Sequence, residues 1–350
     1  LYNCQSAEPH GAGELSAASI EPRKLVTELK AFAAPNSARS FAELAVTLLP
    51  FCGLILIMLW GIGAGYYAVL AAAPLAGLLL LRLFIIQHDC GHGSFFASRS
   101  SNDWTGRALG ALTFTPYDCW KRSHALHHAS TGNLDARGFG DVDTWTVREF
   151  FASSCLMRLF YRIYRHPIVL FGVGPAYLFL LRHRLPVGLM KQGSKYWLNA
   201  IATNLATGGV LAALIYFYGF LAIMLTVFPV LMIAASTGVW LFYIQHQFEE
   251  AHWDRKSDWS FHEAALLGSS HLDLPQPLRW FTGNIGVHHV HHLASRVPFY
   301  RLAEVLSEYP ELRDLNRFTV FQSIKPIWLS LWDEDERRLV SFREARLKAV

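Results

Sequence analysis

"YWLNAIATNLATGGVLAALIYFYGFLAIMLTVFPVLMIAASTGVWLFYIQHQF", residues 196–248, holds no Asp, Glu, Lys or Arg in 53 positions. A helix needs about 20 apolar residues to cross a hydrocarbon core of roughly 30 Å, so a run this long predicts two crossings. Inside it, "YFYGF" (216–220) supplies a glycine and interfacial aromatics for a turn. A second uncharged run, Leu44–Leu81, spans 38 residues and contains "WGIGAGYY" (60–67). The chain therefore reads as an all-α integral membrane protein with two transmembrane hairpins, at about 44–62 with 66–86 and 200–217 with 221–245.

Composition agrees. Charged residues are 17% of the 350, against roughly 25% for soluble domains. Hydrophobic residues reach 52% and mean hydropathy is +0.24. Both hairpin turns lack Lys and Arg, whereas 87–195, 249–350 and the N-terminal stretch with Arg23, Lys24, Lys30 and Arg39 carry nearly all of them. Both termini and both long segments are expected to face the cytoplasm. Residues 1–40 read as a polar, flexible segment without a signal-peptide pattern, 41–335 as the membrane domain and 336–350 as a C-terminal tail. The shorter apolar stretch Ile168–Leu181 is expected to lie in the interface or re-enter rather than span.

A net charge of +4 gives no case for nucleic acid. The five cysteines form no CxxC, which excludes a cysteine metal site or an iron–sulfur cluster and fits a reducing face. No dinucleotide-binding fingerprint is present, because the Gly61, Gly63, Gly65 run lies in a membrane turn.

Histidine is distributed unlike anything else in the chain. "HDCGH" gives His88 and His92, "HALHH" gives His124, His127 and His128, and "HHVHH" gives His288, His291 and His292 with His289 between them. These i, i+3 and i, i+4 spacings put imidazoles on one helix face, the arrangement in which two or three converge on one metal ion. His289, about 100° further round, points away. Eight imidazoles overfill one ion and match two ions with four or five nitrogen donors each. Zinc-peptidase chemistry is not supported, since "HEAAL" from His262 lacks a second histidine. A soluble carboxylate di-iron plan wants two ExxH pairs, and only Glu249–His252 offers one. A metal transporter places its ligands near the bilayer midplane, whereas these lie beyond the span ends.

With its three boxes HxxxH, HxxHH and HxxHH on two membrane hairpins, the chain resembles the membrane fatty-acid desaturases and related hydroxylases. "HDCGHGSFF", "QHQFEEAHW" and "NIGVHHVHHL" look most like bacterial acyl desaturases of the Δ12/ω-6 type. The resemblance implies a histidine-ligated centre of two iron ions in a cytoplasmic helical cap. It implies an O₂-dependent oxidation of unactivated C–H bonds in a fatty-acyl chain (acyl-lipid, carrier-bound or free acid), forming a cis double bond. The same boxes serve hydroxylases, carotenoid ketolases and decarboxylases that form terminal alkenes. It further implies one more ligand after the last span. His246 is favoured over His252, because the membrane helix fixes it while His252 follows Glu249 and Glu250 and faces water or Trp253. Since the chain has no cofactor that stores electrons, an external donor such as ferredoxin or a cytochrome b5-like protein is required.

Ligating imidazoles usually give their other N–H to a carboxylate or carbonyl. Asp89 in the first box, Asp135, Asp141 and Asp143 after the second, and Asn284 before the third are the candidates. "RLFYRIYRHP" places Arg158, Arg162 and Arg165 as a basic stripe, suited to anionic headgroups or to an acidic electron carrier.

Overall fold

The computed structural model describes residues 21–138 and 140–348. Among the described residues, four helices are long and apolar enough to cross a membrane. In chain order, α1 (Pro22–Leu29) leads into α2 (Ser37–Gly63), and a tight 3-10 stretch Tyr67–Ala72 leads into α3 (Ala73–His92). Next come α4 (Arg99–Leu112), α5 (Tyr117–Ser130), β1 (Trp145–Thr146), α6 (Val147–Ala152) and α7 (Cys155–Tyr164). A bent stretch follows, in which α8 (Gly174–Ala176) separates two π-helical turns. The second hairpin is α9 (Ser194–Tyr218) and α10 (Phe220–His246). Beyond it lie α11 (Phe261–Leu267), β2 (His271–Asp273), α12 (Gln276–Phe281), α13 (His288–Leu293), α14 (Leu302–Glu308), β3 (Arg317–Thr319), β4 (Leu329–Asp333), β5 (Arg338–Ser341) and α15 (Phe342–Lys348).

The two expected hairpins are present, with longer helices than the uncharged runs suggest. α3 and α10 run on until their last turns deliver His88, His92 and His246, so the ends of the spans are themselves part of the cap. The turns carry exposed Trp60, Tyr66 and Tyr67 in one hairpin and Tyr216, Phe217 and Phe220 in the other. Rings of this kind favour the level of lipid headgroups. Leu49, Leu198 and Leu205 are about as exposed, which in a membrane is contact with acyl chains.

One ion pair is buried where α2 meets α3. Arg82 pairs with Glu43, donates to Thr47 Oγ1 at 3.1 Å and to the Trp280 carbonyl, and lies 4.0 Å from the Trp280 ring centroid. Removing one partner of such a pair costs about 3–5 kcal/mol, because the other is left charged and dry. Here it ties the first hairpin to the segment leading to the third histidine box.

Two expectations need correction. Residues 22–40 of the polar N-terminal segment are not loose: α1 buries Leu25 and Leu29, and α2 begins at Ser37 with its first turn capped by Asn36. Residues 1–20 lie outside the described residues. Nor is 336–350 a tail, since β5 pairs antiparallel with β4, and β4 pairs parallel with β1. The fold is mostly helical, as expected, and carries these short strands in addition. A second small sheet, β2 with β3, also packs in the cap. The stretch Ile168–Leu181 does not span as a straight helix; 169–184 turns by 59° from α7, as a broken or re-entrant element does.

Cysteines introduced at Ala64 and Tyr216, in a background lacking the exposed Cys52 and Cys155, should be labelled by an impermeant maleimide from outside intact cells. Labelling of either only after the cytoplasmic side is opened would reverse the orientation.

Candidate metal centre

Two groups of imidazoles meet in the cap. His88, His92, His124, His128 and His291 form one, and His127, His246, His288 and His292 form the other. Within each, one ligand atom per residue lies within 4.8 Å of all the others. The groups abut: His128 and His292, one from each, stack with centroids 4.0 Å apart.

The spacing argument placed each box on one ion, and the structure corrects this. An i+4 residue lies about 40° round the helix and an i+3 residue about −60°, so the two can address different neighbours. On α5, His124 and His128 turn to the five-membered group while His127 turns to the other. On α13 the split is reciprocal, with His288 and His292 in the four-membered group and His291 across the divide. Each HxxHH box thus serves both groups. His289 stays out, its Nε2–H donating to the Leu312 carbonyl at 2.8 Å.

Local packing explains why the boxes meet. A Cβ at Gly91, inside the first box, would sit 2.8 Å from the Trp120 ring, so glycine lets α5 press against α3. Trp120 stacks on His124, centroids 4.5 Å apart at 18°, and fixes that imidazole plane. Gly286 admits β2 in the same way, because a Cβ there would lie 2.4 Å from the Leu272 carbonyl. The His288 N–H then donates to the Ser270 carbonyl at 3.1 Å, which seats α13.

The donor set fits metal ions. Successive Nε2 atoms lie 3.0–3.2 Å apart, as in His92–His124, His128–His291 and His246–His288. Metal–imidazole bonds of about 2.0–2.1 Å at right angles put neighbouring nitrogens about 3 Å apart. Hydrogen bonding alone does not account for the contacts. His127 gives its Nδ1–H to Asp141, and His246 gives its Nδ1–H to the Gly268 carbonyl at 3.2 Å. With both rings neutral, the form that binds a metal, both Nε2 atoms carry lone pairs and face each other at 3.1 Å. Burial, reinforced by neighbouring imidazoles, pushes His124, His128, His288, His291 and His292 well below the ordinary histidine range. They are neutral at physiological pH, the form that binds a metal.

The supporting candidates separate clearly. Asp141 meets His127, and Asp89 lies 3.2 Å from His88 Nδ1 while accepting the Phe299 N–H at 2.7 Å. Asn284 makes no hydrogen bond to a cluster histidine among the described residues; it donates to the Phe299 carbonyl at 3.4 Å, one residue removed from Asp89. Asp135 instead pairs with Arg255 at 2.9 Å, and Asp143 accepts from Trp145 Nε1 at 3.1 Å. His252 lies outside both groups, 2.6 Å from the Asp254 carboxylate.

The expected basic stripe is not a surface stripe. Arg165 is buried and donates to Gln247 Oε1 at 2.9 Å, the Leu329 carbonyl at 2.8 Å and the Asp143 carbonyl at 3.2 Å. It clamps the loop that presents Asp141 against α10 and β4. Arg162 lies over the rings of Phe150 and Phe342. The exposed face of α7 is instead apolar, with Leu156, Phe160 and Ile163 about half exposed.

Sequence reasoning missed the cavity. It measures about 480 Å³, is mostly apolar, and runs from His88, His124 and His288 between α3, α5, α10 and the bent stretch 169–184. Phe84, Trp120 and Leu231 are among its walls. Trp120, one helical turn before His124, carried a legible signal; the Gly268 carbonyl carried none.

The family model described as fatty acid desaturase matches residues 64–322. A protein of Bacillus subtilis (strain 168) named "Fatty acid desaturase" is 40% identical over 323 residues, covering 92% of this chain and 91% of its own length. Two proteins of Synechocystis sp. are each 30% identical. One is named "sn-1 acyl-lipid omega-3 desaturase (ferredoxin)" (77% of this chain, 76% of its own) and the other "sn-1 oleoyl-lipid 12-desaturase" (71% and 72%).

Substitution should sort these residues. His246→Ala should lose bound metal, while His252→Ala and His289→Ala keep most of it. Asp141→Ala should weaken metal binding by about 10–100-fold, and Asp135→Ala should not change it. Equal losses in Asp135→Ala and Asp141→Ala would remove the special role of the His127–Asp141 contact.

Proposed function

The chain belongs to the fatty acid desaturase family, and from that premise we propose that it is an O₂-dependent desaturase of membrane acyl lipids. Its proposed metal ligands are His88, His92, His124, His128 and His291 for one iron ion, and His127, His246, His288 and His292 for a second. The observation that carries this reading is the cavity: a long apolar space that ends on histidines of both groups.

Two iron ions held there would supply the activation of O₂ and the oxidising power to take hydrogen from an unactivated methylene. The chain's residues do the rest. Phe84, Trp120, Leu231 and Ala235 line a path that accepts methylenes and excludes water. Trp120 both walls this path and fixes the plane of His124. Asp141 and the Gly268 carbonyl hold the Nδ1–H atoms of His127 and His246, keeping both Nε2 lone pairs directed inward. Removing two hydrogens from the chain while reducing O₂ to two waters takes two further electrons and two protons. An external carrier, a ferredoxin or a cytochrome b5-like protein, supplies the electrons; one Synechocystis relative carries ferredoxin in its name. The setting is the bacterial inner membrane, with the cap and both termini in the cytoplasm.

Expressed in a host without polyunsaturated lipids, the chain should yield acyl groups two hydrogens lighter, read by mass spectrometry of extracted lipids. His246→Ala and His124→Ala should abolish them. Purified active protein should hold two iron ions per chain. Hydroxy-acyl groups or terminal alkenes in place of the new double bond would overturn desaturation, and a single iron in fully active protein would overturn the paired centre.

A further inference from the structure

The cavity wall carries one cation. Arg182 is the only Lys or Arg among its lining residues, and His183 lines it beside Arg182, where the bent stretch ends. Its neighbour Arg184 is spent on structure, donating to Asn204 Oδ1 at 2.8 Å and to the Phe114 carbonyl. Among the described residues, by contrast, no hydrogen bond or ion pair engages the Arg182 guanidinium. His183 Nδ1 is buried and has no hydrogen-bond partner.

No local carboxylate can answer that charge. Between Glu149 and Glu249 the sequence has no acidic residue, yet it holds Arg158, Arg162, Arg165, Arg182, Arg184, Lys191 and Lys195. The one carboxylate lining the cavity, Asp141, is engaged by His127. Near Arg182 in sequence, Tyr177, Leu181, Leu185 and Val187 are exposed apolar side chains, of the kind that contact lipid. Asn204, which returns a bond to the Arg184 carbonyl at 2.8 Å, fixes this level beside the first turns of α9, where Ser194, Lys195 and Asn199 are polar.

We propose that Arg182 and His183 bind the phosphodiester of a bilayer glycerophospholipid whose acyl chain fills the cavity. A guanidinium presents two parallel N–H donors that match phosphate oxygens, and His183, as its Nδ1–H tautomer, adds a third donor. The inference rests on the acyl-lipid reading above and adds the headgroup chemistry that selects the lipid. A galactolipid or a free fatty acid offers no phosphodiester there. Holding the headgroup also fixes how far along the acyl chain the histidines reach.

The test uses full-length protein purified without added metal, so that binding is read apart from turnover. Native mass spectrometry should show phosphatidylglycerol retained over a galactosyl diacylglycerol with the same acyl chains. The expected preference is about tenfold, the scale of one charge-assisted contact. R182Q should bring the two lipids near parity and R182K should recover part of the preference. K191Q, which removes an exposed charge outside the cavity, should leave it intact. Equal retention of both lipids by the unsubstituted protein, or an equal loss in K191Q and R182Q, overturns the site in favour of general attraction to anionic surfaces. Stronger retention of oleate than of phosphatidylglycerol assigns the cation to a carboxylate and also overturns it. Should R182Q not fold, H183Q carries the same expectation. The desaturase reading fails separately: phosphatidylglycerol preferred in binding, with neither lipid desaturated when iron and reductant are supplied, leaves the site standing and removes the reaction.

Discussion

Two imidazole nitrogens that face each other with lone pairs, His127 Nε2 and His246 Nε2, set the terms for the rest of the cap. Each is directed inward because its Nδ1–H is given away, to a carboxylate in one case and a carbonyl in the other. Left to themselves, such atoms would repel. Their approach is sustained by elements that have no other reason to meet: the end of a membrane helix, a cap helix, and the loop that begins the small sheet. A cation between them would turn that repulsion into bonding, and the same would hold round both groups of histidines.

Holding nine imidazoles this close takes scaffolding well away from the nitrogens. α3 and α10 are anchored by the bilayer over most of their length, so their last turns form a fixed floor for His88, His92 and His246. α5 and α13 lie across that floor, admitted by Gly91 and Gly286. The Asp141 loop is held from the far side by Arg165, whose buried guanidinium spends its donors on neutral acceptors of three separate elements. The strand pairing of β1 with β4 locks the same loop, so the last residues of the chain support the geometry of the middle.

Apolar and polar requirements meet at the cavity. A reaction at an unactivated methylene requires the chain held in a dry passage, while a lipid drawn from the bilayer keeps its headgroup at the surface. The bent stretch 169–184 meets both conditions, walling the passage with Val169, Leu170 and Phe179 and ending in Arg182 and His183. Its π-helical turns and its 59° turn from α7 keep it from becoming part of a fifth straight span.

The four spans, their pairing as hairpins and the histidine boxes were legible in the sequence because each is a property of contiguous residues. An uncharged run is long enough to cross or it is not, and an i, i+4 pair shares a helix face whatever surrounds it. The exclusion of His289 was legible for the same reason, since it follows from helical phase alone. Local spacing had no means of showing that each HxxHH box divides between two groups. That depends on what stands on either side of the helix, and those neighbours come from other segments of the chain, 32 positions away for His92 and His124 and 163 for His128 and His291. The choice of Asp141 over Asp135 and Asp143 is equally nonlocal, as is the burial of Arg165 in what reads as a surface stripe. Each was decided by strand pairing with the end of the chain and by packing against α10. The cavity is the extreme case, because a space between helices belongs to no segment and exists only once α3, α5, α10 and the bent stretch have been brought together.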